Sequence, residues 1–395
     1  MRRLAILDGM RGYFLVFMML NHLTFEGGYR LVRINHGELG YVQDAQGFVF
    51  LSGLLVGMVY ARTMAKRGFS AVREKIHGRA FELYLYALGC LLAIGLAGVV
   101  LPGPQDYWKD WLWQLTDGNP GFAAAAALLL FQPTYLDILP QYIVYMIAAP
   151  FLVRLVVEGR AATVLAGSLA LWALVQFGLH LPLANALDAA MAAAWPGLML
   201  RAHFNVLAWQ IVFVSGLVAG ALTASGGIDW NRVFDPARPG PALAALAVVV
   251  LFAAYRLGFT WGLVPDVLAE RFARLDMRGE FSAVYLLNFA ALGYLVTWTI
   301  VAGGRRERGV APAAGRTLRR LFELPFLRLI GRNSLQVYAY HAVAIYLLRA
   351  ATAHHPVEGE VAKTAVALAA VASLALPALW WERRAERARL AAAGA

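Results

Sequence analysis

The chain has 395 residues, of which 60% are hydrophobic and only 15% are charged, so it lacks the polar surface that a soluble protein of this length needs. Its formal net charge is +11, but no segment combines basic and aromatic residues as nucleic-acid-binding modules do, and we expect no nucleic-acid partner. The single cysteine, Cys90, excludes an intramolecular disulfide and a cysteine metal cluster.

Apolar segments of the length that crosses a bilayer, roughly 20 residues, recur along the whole chain. They predict an all-α, polytopic membrane bundle of about ten transmembrane helices, which forms a single domain over residues 1–395. The first segment is short and carries Arg11 and His22. The predicted segments are 10–25, 45–62, 81–101, 137–156, 161–180, 205–223, 241–260, 281–302, 325–348 and 364–381.

The positions of the basic residues predict how these helices are oriented. With the N-terminus in the cytoplasm, 22 of the 35 Lys and Arg residues fall in cytoplasmic segments and 10 fall outside. Because basic residues collect on the cytoplasmic side, this bias predicts that both termini are cytoplasmic. Residues 382–395 would then form a basic cytoplasmic tail.

The first segment carries two polar residues that lipid would disfavour. Arg11 and His22 are eleven residues apart, which is about 16 Å along a helix and close to three full turns, so they share one face. An arginine at the inner edge and an imidazole further out would suit an anionic substrate that is threaded through the membrane. The alternative is that Arg11 only extends to the interface and His22 only caps the helix.

The second segment opens with Asp44, near the expected level of His22. A carboxylate there could fix the tautomer of the imidazole and stabilise its cation. The alternative is that Asp44 is the N-cap of the second helix. Further along, Ser52 and Gly53 form a patch of small residues that favours close helix packing.

The ninth segment repeats the pattern of the first. Arg332 falls near the inner edge, and His341 follows nine residues later, roughly 13 Å deeper along a helix. Arg328 lies four residues before Arg332, on the same face, and together with Arg11 these arginines could bind phosphates. The alternative is ordinary anchoring by basic residues together with a hydrogen-bonded histidine.

The sixth segment begins with the polar residues Asn205, Trp209 and Gln210. Their side chains could line a cavity, although amides of this kind also join neighbouring helices. No spacing of His, Cys, Asp or Glu is typical of a metal site, so we predict none.

Several of these motifs together resemble a known family. Asp8, Arg11 and Gly12 followed by His22 resemble the start of the acyltransferase-3 family, whose mark is an arginine, ten residues and a histidine. The sequences F-V-F-L-S-G at 48–53 and G-R-N-S-x-x-V-Y-x-x-H at 331–341 resemble later motifs of that family. Two further stretches, at 134–142 and 203–216, resemble its OpgC branch, the succinyltransferases of osmoregulated periplasmic glucans.

The resemblance implies a multi-pass enzyme of the bacterial inner membrane that moves an acyl group across the bilayer. Such a membrane-bound O-acyltransferase takes the group from cytoplasmic acyl-coenzyme A, here succinyl-CoA, and places it on a sugar hydroxyl of a periplasmic glucan. The donor is a substrate, and no permanently bound cofactor is expected. In the family, the histidine that matches His22 is essential and the arginine that matches Arg11 is tied to the donor.

A mechanism follows from these parts. Arg11, Arg328 and Arg332 would hold the phosphates of coenzyme A at the cytoplasmic end. His22 would remove the proton of the glucan hydroxyl, with Asp44 as the orienting carboxylate and His341 as the third member of the catalytic group. A variant route passes the acyl group through an acyl-histidine first.

Two other roles are left open among named residues. The oxyanion of the tetrahedral intermediate needs hydrogen-bond donors. The candidates for this role are Asn21, Ser52, Asn205, Tyr338 and His341. A succinyl group also carries a free carboxylate, for which Arg30, Arg201 or Arg278 would supply the cation on the outer side.

Two other functions fit the same residues. An O-acetyltransferase of lipopolysaccharide or capsule would share every motif. A transporter of anionic glycans would also use inner-edge arginines and histidines within the membrane, although the chain lacks the internal symmetry that many transporters show.

Overall fold

The structure is a computed structural model that describes residues 5–273, 275–303 and 309–393, and over these ranges the chain is helical without a β-strand. Arg2, Arg3, Arg274, Arg305, Arg306 and Arg308, which contributed to the charge bias, lie outside the described residues. The α-helices of the described ranges are, in chain order, α1 Ala5–His22, α2 Asp44–Val100, α3 Pro104–Leu112, α4 Pro120–Ala127, α5 Ile138–Val157, α6 Ala161–Gln176, α7 Leu181–Ala194, α8 Val206–Ser225, α9 Trp230–Val233, α10 Gly240–Thr260, α11 Asp266–Ala273, α12 Ala283–Val301, α13 Val310–Phe322, α14 Pro325–Arg332, α15 Ser334–His354, α16 Glu360–Ser373 and α17 Ala375–Ala393.

The described helices include several that can cross a membrane. Six are long and apolar enough, or seven if α6 and α7, which meet at 68°, form one broken span. They are α2, α5, α8, α10, α12 and the segment Glu360–Ala391. The all-helical membrane architecture is therefore confirmed, but the prediction of about ten spans is not. Polar residues lower the hydropathy of α1, and the predicted segments 45–62 and 81–101 lie on the two arms of α2, on either side of a kink at Gly68.

The helix α2 bends sharply at Gly68. This residue has φ +77° and ψ −178°, a backbone conformation that is essentially restricted to glycine. Up to the bend, residues later in α2 contact residues later in α5: Ser52 lies beside Tyr142, and Phe69 lies beside Phe151. After the bend the contacts move back along α5, since His77 lies beside the carbonyl of Ile147. The two arms of α2 therefore run in opposite directions.

Glycines let the first arm of α2 pack closely on α8. Gly53 and Gly57 face the backbone of α8, and Gly216 and Gly220 face the backbone of α2, with no room for a Cβ atom at any of the four. The contacts advance together along both helices, so the two run parallel. Small residues four apart are a common way to bring helix backbones together where lipid provides no hydrophobic driving force.

A second glycine contact fixes α14 against the first half of α1. Gly9, Gly12 and Gly331 lie directly against the backbone of Phe322, Leu327 and Asp8, respectively. The predicted single helix 325–348 is wrong, because the chain breaks at Asn333, whose φ of −108° and ψ of 32° are not helical. Arg332 and His341 consequently lie on two different helices.

Candidate active site

Two histidines from distant parts of the sequence meet at one end of the bundle. Nδ1 of His22, the last residue of α1, lies 2.9 Å from Nε2 of His341 in α15. His341 is fully buried, whereas His22 is only partly buried and can be approached. Because Nδ1 of His22 is engaged, Nε2 is the nitrogen that remains for a substrate. When His22 donates its Nδ1 proton to His341, Nε2 carries a free lone pair and can act as a base.

Tyr135 forms one wall of this histidine pair. Its ring stacks on His22 with 4.1 Å between the ring centroids, and its backbone has φ +68°, which is unusual for a bulky residue. The hydroxyl of Tyr338 donates to the carbonyl of Tyr135 at 2.9 Å. The hydroxyl proton of Tyr338, a predicted oxyanion donor, is therefore already used in the hydrogen bond that holds Tyr135. The stretch 134–142 carries part of the family resemblance, but no pattern in it indicated Tyr135.

Asp44 does not orient His22, contrary to the prediction. Its carboxylate accepts from the amide of Asn21 at 2.6 Å and lies 3.5 Å from the amide of Asn35. It is not the N-cap of α2 either, because Gln43 occupies that position, and the backbone N–H of Gln43 donates to the side chain of Gln46 at 3.2 Å. The position predicted for Asp44 beside the imidazole of His22 belongs to His341 instead.

His36 completes the surroundings of Asp44. Its Nε2 lies 3.8 Å from the carboxylate, and its Nδ1 lies 3.2 Å from the hydroxyl of Tyr13. Burial lowers the pKa of His36 to about 4, so the imidazole is neutral at pH 7 and does not form an ion pair with Asp44. Nothing in the sequence pattern indicated this loop residue.

Two of the predicted oxyanion donors lie away from His22 or are already engaged. Asn205 caps α8 through its side-chain oxygen, and its amide donates to Glu280 at 2.8 Å. Ser52 is buried eight residues after Asp44, about 12 Å further along α2. Asn21, directly before His22, is exposed and keeps one amide proton beyond the one it gives to Asp44.

Of the three predicted phosphate-binding arginines, Arg328 and Arg332 lie toward the opposite end of the bundle, whereas Arg11 lies between that end and the histidines. The guanidinium of Arg11 is partly buried and lies 5.5 Å from the centre of the Phe48 ring. Arg328 and Arg332 belong to α14, which packs on the first half of α1, and both are exposed. Nη2 of Arg332 lies 2.9 Å from the carboxylate of Glu382.

Two of the arginines that the sequence predicts on the outer side lie near His22: Arg349, which lines the same small pocket, and Arg278. Arg278 is within electrostatic range of both His22 and Asp44, and its guanidinium lies 5.6 Å from the centre of the Phe204 ring. Arg201 is engaged elsewhere, because it packs on Trp113 and donates to Thr134. The side chain of Arg278 is exposed at this end of the bundle.

His203 lies in the same region of the bundle. Burial, with help from the guanidinium groups of Arg278 and Arg201, lowers the pKa of His203. The imidazole is therefore neutral at pH 7, and the positive charge near His22 comes from arginine. Within the ranges that the structure covers, no group of three or more His, Cys, Asp or Glu residues is arranged to hold a metal ion.

A comparison with protein families gives a match over almost the whole chain. The model of the OpgC protein family, OpgC_C, matches residues 2–386. Neither a curated protein nor a solved structure matches the chain. The matched range includes both histidines and all three inner arginines.

Proposed function

The chain belongs to the OpgC protein family, and from this premise we propose that it is a membrane-bound O-acyltransferase of the wider acyltransferase-3 family. It takes a succinyl group from cytoplasmic succinyl-CoA and transfers it to a hydroxyl of a periplasmic glucan. In this proposal the protein is a single domain of the bacterial inner membrane with both termini in the cytoplasm. The observation that supports the proposal most strongly is the contact between His22 and His341, at the far end of the helix that carries Arg11.

The donor binds along α1. Arg11, Arg328 and Arg332 attract the phosphates of coenzyme A at the inner end, since guanidinium groups make forked, charge-assisted contacts with phosphate. His22 lies about 16 Å further along the helix. The flexible pantetheine arm is thin enough to follow this path and to bring the thioester to the imidazole.

The histidine pair then catalyses the transfer. Nε2 of His22 removes the proton of the glucan hydroxyl while the hydroxyl oxygen forms a bond to the thioester carbon. The amide of Asn21 donates to the oxyanion of the tetrahedral intermediate. When the carbon–sulfur bond breaks, the proton on His22 passes to the departing thiolate. In the acyl-histidine variant, Nε2 attacks the thioester carbon first, and the same nitrogen carries the acyl group.

The identity of the acyl group is supported by Arg278. A succinyl group at His22 has a free carboxylate two methylene groups away from the reacting carbonyl, and needs a cation nearby in a site of low polarity. Arg278 is within electrostatic range of His22, and Arg349 lines the same small pocket as His22. An acetyl group would have no charge for these cations to bind.

The function can be tested with purified protein in liposomes that receive radiolabelled succinyl-CoA and periplasmic glucan. We expect wild type to transfer the label and His22→Ala to lose about a thousandfold in rate, within the range for loss of a general base. His355→Ala is the matched control, because His355 is exposed in the loop after α15. It should retain full activity.

Each other result has a defined meaning. Full activity of folded His22→Ala would contradict the mechanism. Transfer from acetyl-CoA but not from succinyl-CoA would identify an O-acetyltransferase. Movement of glucan across the bilayer without transfer from either donor would identify a transporter.

A further inference from the structure

The bend in α2 creates a basic groove that the proposed mechanism does not use. A cavity of about 630 Å³ opens beside Gly68, and it is lined mainly by basic side chains from both arms of the helix. Its lining residues, which together define the Gly68 groove, are Val59, Arg62, Thr63, Lys66, Arg67 and Lys75. Residues 62–79 hold six basic residues and one acidic residue, Glu74.

The convergence of these charges is a product of the fold. On a straight helix Lys75 would lie about 14 Å beyond Lys66 along the axis. The positive φ of Gly68 turns the second arm back, so that both lysines line one cavity. Basic residues on the cytoplasmic side orient a membrane protein whatever the direction of their side chains, so this role does not require them to converge on one cavity. Like charges around one cavity repel each other, and a bound anion offsets this repulsion.

The groove lies at the end of the bundle that holds the arginines. Asp44 is bonded to Asn21, and Arg62 follows 18 residues later in the same helix, about 27 Å away. Arg11 lies between these two levels. Tyr142 is within electrostatic range of both Arg11 and Arg79, the latter shortly beyond the groove on the second arm. Tyr142 therefore has one basic side chain from α1 and one from the second arm of α2 in its surroundings, and Arg79 also pairs with Glu82.

We propose that the Gly68 groove binds the phosphate groups at the nucleotide end of the acyl-coenzyme A donor. This inference rests on the proposed function and extends it. The thioester lies at His22, the pyrophosphate near Arg11, and the 3′-phosphorylated adenosine in the groove. Coenzyme A carries several phosphate charges at one end, and the four cations of the groove match such a ligand in sign and number.

The first test measures binding without catalysis. The full chain is placed in nanodiscs of uncharged lipid, and the affinity for free coenzyme A is measured for wild type and for Lys66→Gln/Lys75→Gln. Both lysines are exposed, so the variant should fold. Because each charge-assisted contact to phosphate is worth more than a neutral one, we expect Kd to rise about tenfold or more.

The matched control is Arg160→Gln/Arg232→Gln. It removes the same charge from two exposed residues at the same end of the bundle: Arg160, in the loop after α5, and Arg232, in the short helix α9 that follows α8. Its Kd should equal that of wild type. An equal loss of affinity in both variants would overturn the inference, because only net charge would then matter.

The second test uses transfer kinetics. The groove variant should raise KM for acyl-CoA about tenfold with little change in kcat, because it removes binding that is equal in ground and transition states. With acyl-pantetheine, which has no phosphate, both variants should match wild type. A groove variant that is as slow with acyl-pantetheine as with acyl-CoA would overturn the inference.

A lipid headgroup offers the same phosphate chemistry, and a third measurement separates the two sources. Wild type and the groove variant are placed in nanodiscs that contain phosphatidylglycerol, and the amount of this lipid that each protein retains is measured. Loss of the anionic lipid with an unchanged Kd for coenzyme A would overturn the assignment to the donor. If wild type transfers no acyl group but its Kd for coenzyme A depends on the groove, the proposed function fails while the binding site is supported.

Discussion

Two segments of the chain each carry an arginine followed by a histidine. Their histidines meet at one level of the bundle, whereas their arginines lie apart at the other. At the outer level His22 and His341 lie 2.9 Å apart, and the second of them is fully buried. At the inner level Arg11 packs on Phe48, whereas Arg332 is exposed and paired with Glu382. The difference fits the two tasks of the proposed mechanism. Proton transfer needs a fixed, buried geometry, and the capture of a flexible anionic donor needs accessible charge.

The divergence has a local cause. Asn333 separates α14 from α15, so the path from Arg332 to His341 is not a continuous helix. The glycine contacts hold α14 against α1 in a position of its own. The two levels can therefore be altered separately. Each substitution changes one level, and the other level serves as its reference.

The largest effect is expected at the outer level, from His341→Ala. His341 positions His22 without touching the substrate, so we expect kcat to fall about a hundredfold while KM for the donor stays unchanged. His341→Gln should recover part of the rate, because its side-chain oxygen can still accept the Nδ1 proton of His22. Steady-state kinetics of both variants check this, and a rise in donor KM alone would refute it.

The next effect is expected at the inner level, from Arg11→Gln. Here the donor KM should rise about tenfold to thirtyfold while kcat changes much less, since a phosphate contact contributes equally before and during the reaction. The measurement is initial rate against acyl-CoA concentration. If kcat falls as far as it does in His341→Ala, the separation of the two levels is wrong.

Much of the fold was predictable because it follows from composition and spacing. The apolar segments predicted a helical membrane bundle, and the similar offsets of His22 from Arg11 and of His341 from Arg332 indicated two histidines at similar depth. The breaks were not predictable. The kink at Gly68 and the break at Asn333 depend on the helices that pack around them, and both residues also occur within unbroken helices.

The site was predictable where its residues lie on helices. His22 and His341 were identified from their spacing, but the choice of Asp44 as the orienting group failed, because sequence distance does not show which neighbour an amide or imidazole will contact. Tyr135 and Arg278 come from loops, which have no periodicity to indicate where a side chain points. Their positions depend on contacts with α15 and α8, through Tyr338 and Trp209.

A smaller effect is expected from Asp44→Asn, which tests the corrected role of the carboxylate. The substitution keeps the shape of the side chain and an oxygen that can accept from Asn21, so we expect less than about tenfold loss in kcat from a weakened neutral hydrogen bond. His341→Ala measured in the same preparation is the reference. A loss from Asp44→Asn that equals the loss from His341→Ala would restore the carboxylate to the catalytic group.

The smallest effect has the opposite sign and concerns Glu382. This carboxylate pairs with Arg332, and the two side chains are 39% and 36% exposed, so their mutual attraction is weak, at most about 1 kcal/mol. Glu382→Gln releases Arg332 toward the donor phosphates and should lower the donor KM about twofold to threefold. In an Arg332→Gln background the same substitution should change nothing, which a double-mutant cycle on KM checks. A lower KM in both backgrounds would show that Glu382 acts on the donor by its own charge, and Arg332 would then lose its place among the phosphate-binding residues.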